Sequence, residues 1–296
     1  MRLLLNTNCY YCGNNSSTPV YSIKGFRDDQ RLFNIVKCDV CSLVYINPRY
    51  SEKENFELYQ KDYFTKTAVD PSGNIRSFMS DKLRKINDHK IEVGYIKKFK
   101  KKGSILDFGS ATGFFLEALD GDWDKYAVDI SKFAIKNIED PKVNTFHGTL
   151  IDAGYQDHFF DVIYIGHTLD RIINIKDIII ELKRILKHDG IIVVTLPNID
   201  SICAKIFKSN FRLLYSNHLI YFSPQTLRNF FEDIGFSIIT LKYPYFKTSF
   251  FSYSGLLKGM AKIVNQLLLN TFLGTQVKYS SPPFWGNIMC AIIKKK

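Results

Sequence analysis

Cys9-Tyr10-Tyr11-Cys12 and Cys38-Asp39-Val40-Cys41 are two C-x2-C pairs with 25 residues between them, a spacing at which four thiolates can converge on one metal. The turn inside each pair points two sulfurs at a common centre about 2.3 Å away, and Gly13 frees the backbone just past the first knuckle. Four thiolates close a tetrahedron and leave no position for water or substrate, so the pattern predicts a structural zinc held by Cys9, Cys12, Cys38 and Cys41. A redox pair would instead need one C-x-x-C beside a βαβ unit. Cys203 and Cys290 sit in apolar surroundings and read as buried thiols.

A second constellation is Asp107-Phe108-Gly109-Ser110-Ala111-Thr112-Gly113, with an acid, Asp129, 22 residues after Asp107. Glycines at such a turn let the backbone approach a ligand, and a carboxylate after the following strand can hold two ribose hydroxyls. A dinucleotide fingerprint starting at Gly109 would need glycine at 111 and 114, where the chain has Ala111 and Phe114. A phosphate loop would need Gly-Lys-Ser/Thr, which is absent here. Pyrophosphate is therefore disfavoured. The remaining class is a nucleoside without phosphates, and Asp107 beneath the turn suits one that carries a positive centre such as a sulfonium.

The elements that must position these residues alternate. Strands are expected at 104–108, 126–129, 143–146, 161–165, 191–196, 236–241 and 287–293, with helices at 112–119, 132–138, 175–187 and 224–234. Ser223 and Pro224 supply a cap and a first helical residue for the last of these. The alternation predicts an α/β, Rossmann-like, seven-stranded, mainly parallel doubly wound sheet, whose ligand lies across the carboxyl ends of its strands. Ahead of it stand a zinc-ribbon-like module over 1–50, with short strands near 20–23 and 33–37, and a helical connector over 51–103. The domain at 104–296 carries a helical insertion near 250–280. There Leu256, Leu257, Met260, Ile263, Val264, Leu267, Leu268 and Phe272 mark one apolar helix face, with Lys258 and Lys262 off it. Packing on the core or on a second subunit, or contact with a membrane surface, would each employ such a face.

Taken in order, the turn D-x-G-x-A-x-G, Asp129, Phe160-Asp161-Val162-Ile163, the run Leu182 to Gly190 and a strand ending Pro197-Asn198 resemble the class I S-adenosylmethionine-dependent methyltransferases over about 104–241. With the four-Cys head, Asn47-Pro48-Arg49 and the segment Pro282 to Asn287, the chain is similar to a subgroup common among bacterial sugar and polysaccharide methyltransferases. The resemblance implies that residues 109–113 pass the methionine part of S-adenosylmethionine, that Asp129 binds ribose and that the Gly148-Thr149-Leu150 turn flanks adenine. Asp107, Gly109, Ala111, Gly113, Phe114, Asp129, Ile130, Thr149 and His167 make up the expected cofactor site. Ala111 replaces the family's second glycine, Thr149 stands where many members have an Asp, and His167-Thr168-Leu169-Asp170-Arg171 lacks the second His of the common His-x-x-Glu-His. A hydroxyl acceptor needs a base, and His218 and His167 are the candidates. Each His can equally well satisfy only local hydrogen bonds.

The whole chain, 46% hydrophobic and 15% aromatic, has ample material for a core. Its formal charge of +11 is unevenly spread: +8 over 1–103, −6 over 104–198 and +9 over 199–296. Basic flanks around an acidic centre suit an anionic small-molecule or glycan acceptor. RNA is the alternative acceptor, and a catalytically inactive binding protein on the same fold is a reading from another class. Leu3-Leu4-Leu5 is too short for a signal-peptide core and no run approaches about 20 apolar residues, so the expected compartment is the cytoplasm, without a spanning segment. A homodimer is compatible with the apolar helix face.

Overall fold

The computed structural model describes residues 4–66, 68–69, 75–272 and 280–296. In chain order it forms β1 (Ser17–Lys24), β2 (Leu32–Cys38), β3 (Val44–Ile46), α1 (Glu52–Leu58), α2 (Lys61–Thr65), β4 (Ala68–Val69), β5 (Ile75–Arg76) and α3 (Lys82–Ile96). Next come β6 (Gly103–Phe108), α4 (Phe114–Ala118), β7 (Trp123–Asp129), α5 (Lys132–Lys136), β8 (Asn144–His147), β9 (Phe160–Gly166) and α6 (Ile175–Ile185). The chain continues with β10 (Leu186–Pro197), α7 (Ile202–Phe207), β11 (Ile220–Tyr221), α8 (Pro224–Asp233), β12 (Phe236–Lys242), α9 (Tyr253–Phe272) and β13 (Ile288–Lys295). These residues fall into two compact units, one of 1–51, 197–227 and 243–289, the other of 52–196, 228–242 and 290–296.

The second unit holds a seven-stranded sheet in the order β12-β13-β10-β9-β6-β7-β8. The pairs β10·β9, β9·β6, β6·β7 and β7·β8 are parallel and β12·β13 is antiparallel, so the sheet is the expected mainly parallel, Rossmann-like one. Strand order reverses at β6, the switch point beyond whose carboxyl end ligands lie in such sheets. Its strands are nearly continuous apolar runs because both faces are covered: Ile191 to Val194 are all fully buried. Ile105, Leu116, Val162 and Val193 from the sheet and α4 join Val93 and Ile96 of α3 in one core. That contact explains the helical period in the connector.

Two of the boundaries that differ from expectation have local reasons. The helix expected from residue 112 starts at Phe114, because Gly113 precedes it in a left-handed conformation, φ +79°. The helix expected to reach 187 stops at Ile185, where Leu186 is extended and opens a 12-residue strand whose register shifts between Leu186 and Ile191. The charged run at 187–190 is taken up by that irregularity.

The first unit holds the antiparallel sheet β1-β2-β3-β11. Val36 pairs with Tyr45 and Ile35 with Ile46, while Ile220 and Tyr221 of β11 pair with Tyr45 and Val44. A strand from residue 220 thereby completes a sheet begun by the cysteine head. Its core joins Ile35 to Cys203, Phe207, Phe211 and Tyr221, with Ile263 of α9 packed against it. Of the insertion expected at 250–280, residues 273–279 and the side chain of Phe272 lie outside the described residues.

Candidate functional site

The turn after β6 is built by its glycines. Gly109 (φ +77°) and Gly113 (φ +79°) are left-handed, and so is Ala111 at φ +48°, a conformation that costs a non-glycine residue about 1 kcal/mol. A Cβ on Gly109 would meet Oγ1 of Thr168 at 2.2 Å, so the turn approaches the end of β9 more closely than any side chain allows. The backbone N–H of Gly109 donates to the carbonyl of Val128 at 2.8 Å, tying the turn to β7.

Asp129 ends β7 and fixes the same turn from the other side. One carboxylate oxygen accepts the Ala111 N–H at 2.9 Å and the other the Ser131 N–H at 2.7 Å. Burial raises its pKa against the pull of those two donors. Each oxygen keeps a lone pair, which is the acceptor set a ribose diol requires. The buried hydroxyls of Ser110 and Thr112 meet no partner among the described residues, and unmet polar atoms in a core mark a place where a ligand can supply hydrogen bonds. No cationic side chain belongs to the turn. The cradle therefore fits an uncharged nucleoside better than a pyrophosphate, as the S-adenosyl group requires.

Asp107, under the turn, is buried. Burial pushes its carboxyl up to about 8, with the negative Asp129 and Glu92 adding to the rise and His89 opposing it. His89 and Glu92, one turn apart on α3, bond at 2.8 Å, and the Tyr164 hydroxyl stands 3.4 Å from the same His nitrogen. Burial disfavours both charges, yet each partner holds the other ionised: the His89 pKa is raised and that of Glu92 lowered. Sequence reasoning missed this pair. The available signal was an acid, Glu92, set between Ile91 and Val93 on the buried side of a helix.

Around the cradle, Phe114 is buried and stacks on Phe78 at 5.5 Å, while Ile130 follows Asp129 half-buried. Thr149 is engaged by Asp152, whose carboxylate accepts its hydroxyl at 2.7 Å. A carboxylate thus does stand at the turn after β8, three residues later than the family pattern places it. His167 follows the last residue of β9 with φ +53°, its N–H donating to the Thr195 carbonyl at 2.8 Å. Where the second His of the family pattern would stand, Arg171 donates to the Tyr63 hydroxyl at 3.0 Å and lies over the rings of Tyr59 and Tyr63. The sequence did not single out these two tyrosines as partners of Arg171.

His218 belongs to the first unit. It is buried, with ring neighbours Tyr215 and Tyr221 at 5.5 and 6.3 Å. Two residues on, β11 pairs with β3, and the hydroxyls of Tyr50 and Ser216 meet at 3.2 Å. The position of His218 is therefore secured by the cysteine head.

In that head the sulfurs of Cys9, Cys12, Cys38 and Cys41 all lie within 4.8 Å of one another, with Cys9 to Cys41 at 3.4 Å and Cys12 to Cys38 at 3.5 Å. Ligands about 2.3 Å from a tetrahedral centre would stand roughly 3.8 Å apart, so the cluster has the dimensions of a metal site. The two knuckles mirror each other: Gly13 and Ser42, each just past its pair, are both left-handed, and their N–H groups donate to Cys9 and Cys38 carbonyls at 2.9 and 3.0 Å. Burial pushes the Cys9 thiol up to about 11. At Cys38 burial is outweighed by the N–H groups of Cys41 and Val40, which bring the thiol down to about 7. Cys203 and Cys290 are buried thiols, as expected.

Against known proteins, the family described as a methyltransferase domain matches residues 58–241. An uncharacterized protein of Methanocaldococcus jannaschii is 27% identical over 160 residues, 54% of this chain and 77% of its own. Among solved structures, an S-adenosylmethionine-dependent methyltransferase of Thermotoga maritima superposes with TM-score 0.51 at 17% identity, covering 74% of this chain and 95% of that one. A chain from the Haloferax volcanii complex of the Trm112 methyltransferase activator with a methyltransferase reaches TM-score 0.54 at 12% identity, covering 73% and 92%. At these identities the two structures speak for the fold.

Proposed function

The chain belongs to the methyltransferase-domain family, and from that premise we propose that it methylates a hydroxyl or carbon of a sugar borne by an anionic carrier such as a phosphate, a nucleotide or a polysaccharide. S-adenosylmethionine, when bound, supplies an electrophilic methyl group on a sulfonium and departs as a neutral thioether. The protein's part is mainly alignment of acceptor, methyl and sulfur. Asp129 holds the ribose diol, the turn from Gly109 to Gly113 shapes the methionine end, and Asp107 offers a negative charge to a cationic ligand. Phe114, Ile130 and the Thr149 turn wall the nucleoside. A hydroxyl acceptor loses its proton as the new bond forms, to an imidazole nitrogen of His218 or of His167.

The observation that carries the substrate class is the charge distribution, +8 and +9 on either side of a −6 centre. An anionic acceptor would be attracted by the flanks, while the acidic centre suits a cationic donor. The four cysteines hold a structural zinc in this reading, since a closed four-thiolate site has no open position for chemistry. RNA is the second acceptor reading, favoured by the same flanks. Incubation with methyl-labelled S-adenosylmethionine and three acceptor pools, nucleotide sugars, extracted polysaccharide and total RNA, separates the readings. Label in a sugar fraction is expected. Label in RNA alone would replace the acceptor class, and label in no pool despite bound cofactor would point to a binding protein.

A further inference from the structure

Helix α9, part of the first unit, leaves a long apolar stripe exposed. Toward the rest of that unit it turns Gly259, Ile263, Gln266 and Asn270, at helical spacing, with Leu256 and Leu269 half-buried. Asn270 donates its amide N–H to the Ile206 carbonyl at 3.0 Å, and Gln266, itself buried, donates to Asn270 at 2.7 Å. The outward stripe carries Tyr253, Leu257, Met260, Val264, Leu267 and Leu268, every one of them exposed, Leu257 by 67% and Val264 by 55%. Twenty residues at about 1.5 Å each make this stripe roughly 30 Å long. At its start it meets an aromatic ledge, in which Phe246 and Phe251 touch edge to face at 5.1 Å and Phe251 touches Tyr253 at 5.3 Å. Phe246 and Phe250 are themselves exposed. Isolated exposed apolar residues are common in folded proteins, but a contiguous stripe with an aromatic ledge marks an interaction surface.

The charge around the stripe selects the occupant. From residue 243 to 272 Lys247, Lys258 and Lys262 are exposed, and the segment has no aspartate, glutamate or arginine. Lys247 adjoins Phe246 of the ledge, and Lys258 and Lys262 are exposed on α9 itself. A second copy docking through the same face would bring one acid-free, lysine-bearing segment against another. An anionic lipid surface offers both complements, apolar tails for the stripe and negative head groups for the lysines. No helix among the described residues is long and apolar enough to cross a membrane, so the contact would lie in the plane of the interface.

We propose that α9 and the aromatic ledge before it form a binding surface for anionic membranes. This does not rest on the methyl-transfer reading. The test is co-sedimentation of the full chain with vesicles of phosphatidylglycerol and phosphatidylcholine, beside vesicles of phosphatidylcholine alone. Binding to the anionic vesicles is expected, at least tenfold stronger than to the zwitterionic ones and weakened by salt. The double variant Leu257→Glu, Val264→Glu alters only exposed positions, so its thermal unfolding should match the wild type while its vesicle affinity falls at least tenfold. Absence of vesicle binding, or equal binding by this variant, would overturn the proposal. So would a dimer in sedimentation velocity that binds no vesicles and that the double variant dissociates, which would assign the face to a second copy.

Discussion

Asp107 is the buried carboxyl beneath the cradle. With burial raising its pKa to about 8, the cofactor-free fold favours its neutral form. The folding stability linked to this group is complete below the ordinary aspartate pKa and is lost as pH rises through about 8. A cationic ligand bound beside Asp107 would reverse the preference and favour the carboxylate, with His89, Glu92 and Asp129 as the other charges that act on it. Affinity for S-adenosylhomocysteine, whose ammonium is positive, should therefore increase from pH 6 to pH 8 and then level off. Calorimetry on Asp107→Asn should give a flatter profile, and an unchanged slope would remove Asp107 from the site. At Gly109 the prediction is steric. Gly109→Ala sets a methyl 2.2 Å from Thr168 at φ +77°, so cofactor affinity should fall at least tenfold, with a destabilisation of about 1 kcal/mol or more from the backbone strain alone. Ala111→Gly relieves a left-handed alanine and should leave affinity within about twofold, measured by the same titration.

At the level of elements, the parallel sheet was legible because each strand is a short β-branched run bounded by turn residues, and the glycine turn with Asp129 because both signals are local. What could not be read locally is pairing across long separations. That residues 220–221 extend the sheet of the cysteine head depends on main-chain hydrogen bonds between segments about 175 residues apart, which leave no periodicity in the sequence. The exposure of the α9 stripe was hidden for a related reason, since an apolar stripe looks the same whether it faces in or out. The β3·β11 pairing would give a metal held by the four cysteines a longer reach than its own knuckles. Removing it should loosen 197–227 along with 1–51. Hydrogen exchange on protein treated with a strong chelator is expected to show lost protection at Tyr45 and Ile220 together, with Leu106 and Ile163 of the large sheet still protected. Loss confined to residues 1–51 would show that the head is an independent module. Elemental analysis should find about one zinc per chain, as one four-ligand site requires.

For the whole molecule, the proposed acceptor and donor call for different electrostatics, and charge is unevenly spread along the chain. Screening weakens attraction between exposed charges beyond a distance of about 8 Å at physiological ionic strength. If the basic segments recruit the acceptor, raising salt from 50 to 300 mM should increase the acceptor KM several-fold and change S-adenosylhomocysteine affinity by less than twofold. Equal responses would remove the argument for an anionic acceptor. Beneath every such reading lies the assignment of the cradle after β6 to S-adenosylmethionine, and isothermal titration of the full chain with S-adenosylhomocysteine tests it most directly. One saturable site per chain is predicted, weakened at least tenfold by Asp129→Ala in a variant whose circular dichroism matches the wild type. No binding at high micromolar ligand, or an affinity that Asp129→Ala leaves unchanged, would contradict the account.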